Sequence, residues 1–338
     1  MAEHVTILGD GAMGTVCTLL LDQTDAAVSL WGAFEANVEA LQQNRLNVRF
    51  LPNARIPLKV KLTADPATAF AGATLVVNTI PTQFMRPSWQ KLAPHLPPGV
   101  PVVSCTKGVE LDTLLRPSQV IESVLKEAGM PVPPLGVMSG PTIAAELAKY
   151  LPATAVAAST DAALAERTQR LFTTQWFRIY TSTDPVGIEL AGAVKNVIAI
   201  AAGVIDGLGA GNNAKAALLA RGLVEIKRLG AALGAEKGTF DGLAGLGDLV
   251  TTCISPEGRN RSVGEQIGKG KKLAEVLAGM QSVAEGVETC RAVHALAERH
   301  GVEMPIVGGV YRVLFEDKDV LEAISDLMTR ELKAERVV

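Results

Sequence analysis

The chain of 338 residues has only four cysteines, Cys17, Cys105, Cys253 and Cys290, and no CxxC pair. Scattered thiols fit a reducing compartment and rule out a disulfide framework. The four histidines, His4, His95, His294 and His300, form no acid/base arrangement. No His/Cys/Asp cluster has zinc spacing, so no metal is expected. G-x-S-x-G elbows, P-loops, internal repeats and low-complexity tracts are all missing. A net charge of −3 leaves no basic surplus, which argues against a nucleic-acid partner. Met1-Ala2-Glu3-His4 runs straight into an apolar strand pattern, so no signal peptide is expected. Together with the unpaired thiols, this predicts a cytoplasmic protein. The longest apolar run, Ala191 to Leu208, is interrupted by Lys195, Asn196 and Asp206. It reads as a buried helix, without stable membrane insertion.

What is present is core material. Hydrophobic residues make up 48% of the chain and charged residues 20%, enough for two domains. The first half alternates short β-type runs with helical stretches. Strands are expected at His4–Leu8, Ala27–Trp31, Thr74–Asn78, Val102–Cys105, Leu135–Ser139, Thr154–Ala158 and Phe177–Thr181. Helices are expected at Ala12–Leu21, Glu35–Gln43 and Asp161–Phe172. Such alternation predicts an α/β fold, with a Rossmann-type doubly wound and mainly parallel sheet. From Pro185 onward the strand signals fade into Ala/Leu/Val-rich helical patterns at Gly187–Leu208, Lys215–Leu233, Leu273–Met280 and Thr289–His300. Two domains follow: residues 1–184, which bind a dinucleotide, and residues 185–338, an all-helical domain for the substrate.

Gly9-Asp10-Gly11-Ala12-Met13-Gly14 is a GxGxxG motif between an apolar strand and a helix, the context a dinucleotide site requires. Gly9 allows the tight turn, Gly11 lets backbone approach a pyrophosphate, and Gly14 lets helix and strand pack closely. The helix N-terminus offers free N–H groups to phosphates. Ribose recognition belongs after the second strand, at Trp31-Gly32-Ala33-Phe34-Glu35. Glu35 is either a ribose ligand favouring NAD or a first-turn carboxylate that complements the helix dipole. Arg45 and Arg49 are the nearby cations for a 2′-phosphate, so NAD and NADP both stay open.

Four other places carry chemistry. Lys195 lies among small and apolar neighbours, where an amine is either a desolvated proton donor or a snorkelling rim residue. A carboxylate beside it would oppose the effect of desolvation. Asp248 follows Gly245-Leu246-Gly247 and is either a helix N-cap or a cleft-facing acid. Gly258-Arg259-Asn260-Arg261 reads as a compact basic turn, for phosphate or for solvent. Lys107 and Asn78 follow strands whose carboxyl ends face the ligand crevice. Asn78 reads as a support for the cofactor's ribose or as a turn-former. Cys105 and Cys253 read as small buried thiols.

Further blocks carry a resemblance. They are NVRFLP (47–52), NTIPTQ (78–83), CTKGVE (105–110), SGPTIAAEL (139–147), GIELAGAVKN (187–196), GLGDLVT (245–251), GRNR (258–261) and AEGV (284–287). In this order and spacing the chain resembles the NAD(P)-dependent glycerol-3-phosphate dehydrogenase family from Gly9 to Pro305. The resemblance implies reversible reduction of dihydroxyacetone phosphate to sn-glycerol 3-phosphate with NAD or NADP, supplying phospholipid synthesis. It implies Lys195 as the proton-transfer residue. Substrate contacts are implied at Lys107, Gly140, Thr142, Lys195, Asp248, Gly258, Arg259 and Asn260. Cofactor contacts are implied at Ala12, Met13, Ala33, Phe50, Lys107, Ala144, Arg259, Val283 and Glu285, beside the glycines. The sequence departs from the family pattern at Ala12-Met13, at Ala33 where a cation is usual, and at Gly258 where Ser is usual; backbone N–H at Gly258 is the expected substitute for that hydroxyl. The partners expected are the phosphorylated triose and a second copy in a homodimer. The competing readings are another two-domain hydroxyacid dehydrogenase and a non-catalytic NAD(H) sensor.

Overall fold

The computed structural model describes residues 3–280, 283–332 and 334–335; Met1 and Ala2 of the N-terminal reading lie outside them. The chain divides into two compact units. One joins Met1–Lys107 to Leu115–Pro185, and the other joins Gly108–Leu114 to Val186–Val338.

The first unit contains strands β1 (His4–Leu8), β2 (Ala27–Trp31), β3 (Leu46–Asn47), β4 (Leu51–Arg55), β5 (Lys61–Thr63), β6 (Leu75–Asn78), β7 (Val102–Ser104), β8 (Leu135–Ser139), β9 (Ala153–Ser159) and β10 (Phe177–Ser182). Between them run helices α1 (Ala12–Leu21), α2 (Glu35–Asn44), α3 (Pro66–Phe70), α4 (Thr82–Leu92), α5 (Pro117–Glu127), α6 (Ala144–Leu147) and α7 (Ala162–Phe172). The main sheet has the order β10-β9-β8-β7-β6-β1-β2-β5. Every neighbouring pair in it is parallel except β8 and β9. β1 and β6 are buried on both faces, as strands flanked by helices must be, and so read as unbroken apolar runs. Thr6, the polar residue inside β1, donates its hydroxyl to the carbonyl of Ala69. β1 has β2 on one side and β6 on the other, so the strand order reverses there. A crevice opens at such a switch point, beyond the carboxyl ends of the two strands.

The doubly wound sheet agrees with the sequence-based expectation, with the antiparallel β8–β9 pair as the exception to its parallel run. The β3–β4 hairpin and β5 carry no strand signal in the sequence. β4 (LPNAR) has a Pro and two more polar residues, and β5 is only three residues long.

Helices are the only regular secondary structure among the second unit's described residues. Its helices are α8 (Pro185–Leu208), α9 (Gly211–Ala232), α10 (Asp248–Ile254), α11 (Arg259–Gly268), α12 (Leu273–Ala278), α13 (Glu285–Arg299), α14 (Pro305–Phe315) and α15 (Val320–Met328). α8 is long and apolar enough to cross a membrane, yet 89% of its apolar window is buried inside the protein. It is the axis of the unit's core, where Val194, Val197, Ile198 and Ile200 are almost fully enclosed. Val109 and Leu114, from the segment that follows Lys107, join the same core.

α8 and α11 pack backbone against backbone. A Cβ built on Gly203 would overlap the carbonyl oxygen of Arg261, and one on Gly264 would overlap that of Ile200. Gly207 and Gly268 repeat the contact one turn further along. Glycine inside a helix costs about 1 kcal/mol relative to alanine. Here that cost is offset by a backbone approach that no larger residue allows. Gly264→Ala should therefore destabilise the protein. It gains about 1 kcal/mol of propensity but forces apart backbone that cannot rotate away, at a larger cost of about 1–3 kcal/mol or more. The urea unfolding midpoint measures this, and an unchanged or higher midpoint would contradict the contact.

Candidate active site

The glycine turn is built as the motif requires. Gly9 has φ of +111°, a conformation L side chains rarely adopt, and its N–H donates to the carbonyl of Trp31 at 2.9 Å. A Cβ on Gly14 would overlap the carbonyl of Gly9, so α1 starts hard against the turn. A Cβ on Gly11 would meet nothing within 4 Å, so the backbone there faces open space. No side chain caps the start of α1. Its first N–H groups are thus available to an anion, and the fit to a dinucleotide pyrophosphate is direct. Ala12 and Met13 lie half-buried on that first turn.

Around the turn, Asn47 of β3 donates Nδ2 to the carbonyl of Asp10 and to Thr15 Oγ1, both at 2.8 Å. That fixes the β3–β4 hairpin to the turn. Phe50 is half-buried in the hairpin, with the Arg49 guanidinium 5.0 Å above its ring. Ala33 and Glu35 are exposed just after β2. Arg45 donates to the carbonyls of Pro57 and Val60, which takes it up in holding the chain.

At the carboxyl ends of β7 and β8, Lys107 Nζ donates to the carbonyl of Gly140 at 3.0 Å and approaches Thr142 Oγ1 at 3.5 Å. Thr142 returns its hydroxyl to the same carbonyl. Ala144 opens α6 immediately beyond. The structure corrects the reading of Asn78 as a ribose support. Its side chain is fully buried, donates to Thr106 Oγ1 at 2.8 Å and accepts Trp89 Nε1 at 3.0 Å. Thr106 in turn donates to the carbonyl of Ile80. Asn78 ties together the loops after β6 and β7, directly before Lys107.

In the second unit Lys195 lies in the middle of buried α8, with its side chain 6% exposed. Its Nζ donates to Asp248 Oδ1 and to Thr252 Oγ1, both at 2.6 Å. Thr252 donates its own proton to the carbonyl of Asp248. Asp248 is therefore no N-cap. It is the first residue of α10, following Gly247, and its carboxylate faces the amine. Thr252 was absent from the sequence reading, although its i+4 spacing from Asp248 puts both on one helix face. The adjoining Cys253 is a buried thiol pushed up to about 12 by burial, which keeps it protonated and inert.

The GRNR block is not a solvated turn. Gly258 precedes α11, and its N–H donates to Ser255 O at 3.2 Å. Arg261 is engaged by Asp206 at 2.7 Å and by the carbonyl of Ser255. Arg259 is exposed at the start of α11 and donates to Val283 O at 3.0 Å. Asn260 is buried and accepts the N–H of Gly286 in the first turn of α13, one residue past Glu285. A Cβ on Gly286 would lie 2.8 Å from both Asn260 Oδ1 and the carbonyl of Asn196. Within this unit, Lys195, Asp248, Arg259, Asn260, Val283 and Glu285 thus sit on the abutting ends and faces of α8, α10, α11 and α13.

Comparison with known proteins adds the family context. A family model described as the NAD-dependent glycerol-3-phosphate dehydrogenase N-terminus matches residues 4–165, and its C-terminus counterpart matches residues 184–325. A relative from Geobacter sulfurreducens, named glycerol-3-phosphate dehydrogenase (NAD(P)+), is 48% identical over 99% of this chain and 100% of its own. Another with that name, from Citrifermentans bemidjiense, is 45% identical and covered completely on both sides. The crystal structure of a glycerol-3-phosphate dehydrogenase from Coxiella burnetii is 35% identical, with a TM-score of 0.91 over 97% of this chain and 99% of its own.

The ion pair can be tested by itself. Removing one member of a buried pair leaves the other charge uncompensated, at about 3–5 kcal/mol. Asp248→Leu should lose stability on that scale, and Lys195→Met/Asp248→Leu should lose less than Asp248→Leu alone. Chemical denaturation of the wild type, Asp248→Leu, Lys195→Met and the double variant gives the answer. A double variant as unstable as the sum of its single changes would show that the two groups do not interact.

Proposed function

The chain belongs to the NAD-dependent glycerol-3-phosphate dehydrogenase family, and from that membership we infer that it reversibly reduces dihydroxyacetone phosphate to sn-glycerol 3-phosphate with NAD(P)H. Residues 1–184 serve as the dinucleotide domain and residues 185–338 as the substrate domain. The nicotinamide supplies or takes back the hydride. The protein must hold the nucleotide, grip the phosphate, and deliver a proton to the oxygen that gains negative charge.

The observation that carries this reading is the amine of Lys195, buried in α8 and held by Asp248 and Thr252. A buried ammonium is costly unless paired, and the carboxylate offsets that cost. The threonine hydroxyl accepts from the amine and limits its orientation. The amine thus donates its proton in reduction and recovers it in oxidation, and Asp248 steadies it through both. Arg259 offers a planar fork matched to phosphate oxygens, and the Nδ2 of Asn260 adds a neutral donor beside it. Lys107, fixed on the carbonyl of Gly140 beside Thr142, contributes a cation at the nucleotide crevice. The product supplies the glycerol phosphate backbone of phospholipids. The protein acts in the cytoplasm as a homodimer, a reading supported by its free thiols and by its extensive apolar helical unit.

Steady-state assays with dihydroxyacetone phosphate and reduced cofactor test the roles. Lys195→Ala should lower kcat by about 10²–10⁴-fold, the usual worth of a positioned proton donor, while fluorescence titration still detects cofactor binding. Full turnover in that variant would remove Lys195 from the chemistry. Arg259→Ala should raise KM for the triose phosphate by about 10–100-fold, matching the loss of charge-assisted bonds of 1.5–3 kcal/mol. An unaltered KM would eliminate the phosphate role. Turnover of 2- or 3-hydroxy acids in place of the triose phosphate would overturn the substrate assignment.

A further inference from the structure

The ribose end of the nucleotide crevice holds an acid that the glycine motif does not demand. Asp10, between Gly9 and Gly11, is half-buried. Its Oδ2 accepts from Asn37 Nδ2 of α2 at 2.5 Å, and its main-chain carbonyl is held by Asn47. A Cβ built on Gly32 would lie 2.5 Å from Asp10 Oδ2 and 2.8 Å from its Cγ. The carboxylate therefore lies directly against the backbone that follows β2. The adenine ribose is read at that place in a doubly wound sheet. Glu35, the sequence candidate for the task, is exposed on the first turn of α2.

We propose that Asp10, braced by Asn37, determines cofactor choice by accepting hydroxyls of the adenine ribose and repelling a 2′-phosphate, so that this chain takes NAD(H) in preference to NADP(H). The inference rests on the glycine turn being the nucleotide site. A ribose diol brings O–H donors to a carboxylate, which is an acceptor when ionised. A 2′-phosphate brings about −1.5 to −2 charges to the same spot, and like charges in a partly desolvated site cost binding. The turn after β2 has no compensating cation, since Ala33 stands there and Arg45 is held by two carbonyls. Burial raises the Asp10 carboxyl above its ordinary range, opposed by the hydrogen bond from Asn37 and by the charge of Arg49, on the hairpin that Asn47 ties to the turn. The carboxylate in turn offsets the one cation on that hairpin turn that would attract a 2′-phosphate.

Titration of the full-length protein with NADH and with NADPH, without triose, reads the proposal directly through nicotinamide fluorescence. The wild type should bind NADH about tenfold or more tighter than NADPH. Asp10→Asn keeps the size and a partner for Asn37. It should close that gap by about tenfold, mainly through tighter NADPH. Adding Arg49→Gln to Asp10→Asn should cancel the gain for NADPH. Equal or tighter NADPH binding by the wild type, or an unchanged ratio in Asp10→Asn, overturns the assignment of Asp10. Failure to bind either nucleotide overturns the glycine turn as the site, a result distinct from a mistaken preference, and the proposal falls with it.

Discussion

The helical unit depends on how closely α8 and α11 approach. Four glycines, Gly203 and Gly207 on one helix and Gly264 and Gly268 on the other, let backbone touch backbone. Any side chain there would hold the axes apart. The start of α11 carries Arg259 and Asn260, and a wider spacing would move both away from the middle of α8. The accepted contact of Asn260 with Gly286 then fixes α13 to the same corner. Helix propensity is given up along the contact, and positional accuracy at the helix ends is the gain.

An amine can be kept in the middle of an apolar helix only because α10 brings a carboxylate and a hydroxyl to it. Lys195 would otherwise be among the costliest residues in the core. Asp248 and Thr252 lie one turn apart on α10, so one short helix supplies both partners. The same arrangement satisfies the burial requirement and orients the proton. In the proposed reaction, stability and chemistry share one set of atoms here, so that changes at Asp248 affect both.

In the α/β unit, the governing constraint is strand order. The reversal at β1 opens a crevice, and the glycine turn, the Lys107 loop and the Gly140–Thr142 turn all lie at carboxyl ends of its strands. Asn78 and Trp89 form a buried polar brace beneath them. Buried polar groups that are fully bonded make a core specific rather than merely compact.

The apolar strands and the long helices were legible because burial on both faces, or along a wide stripe, leaves continuous runs of Val, Ile, Leu and Ala. β4 and β5 were not, since edge and hairpin strands half open to water need no such run. The helix α11 was hidden behind RNRS, four polar residues at its start, because what holds α11 in place is a row of glycines facing α8. Asn78 looked like a crevice residue from its position at a strand end. Only the packing of Trp89 shows that it faces inward.

By itself the sequence determined the doubly wound sheet, the nucleotide turn and the family, since each is written in local spacing: apolar periodicity, GxGxxG, and ordered blocks. The tertiary structure decided which groups meet. Lys195 and Asp248 are 53 residues apart in the chain, and Asp10 and Asn37 are 27 apart. No periodicity encodes such pairings, because they arise from the angles at which whole helices and strands pack.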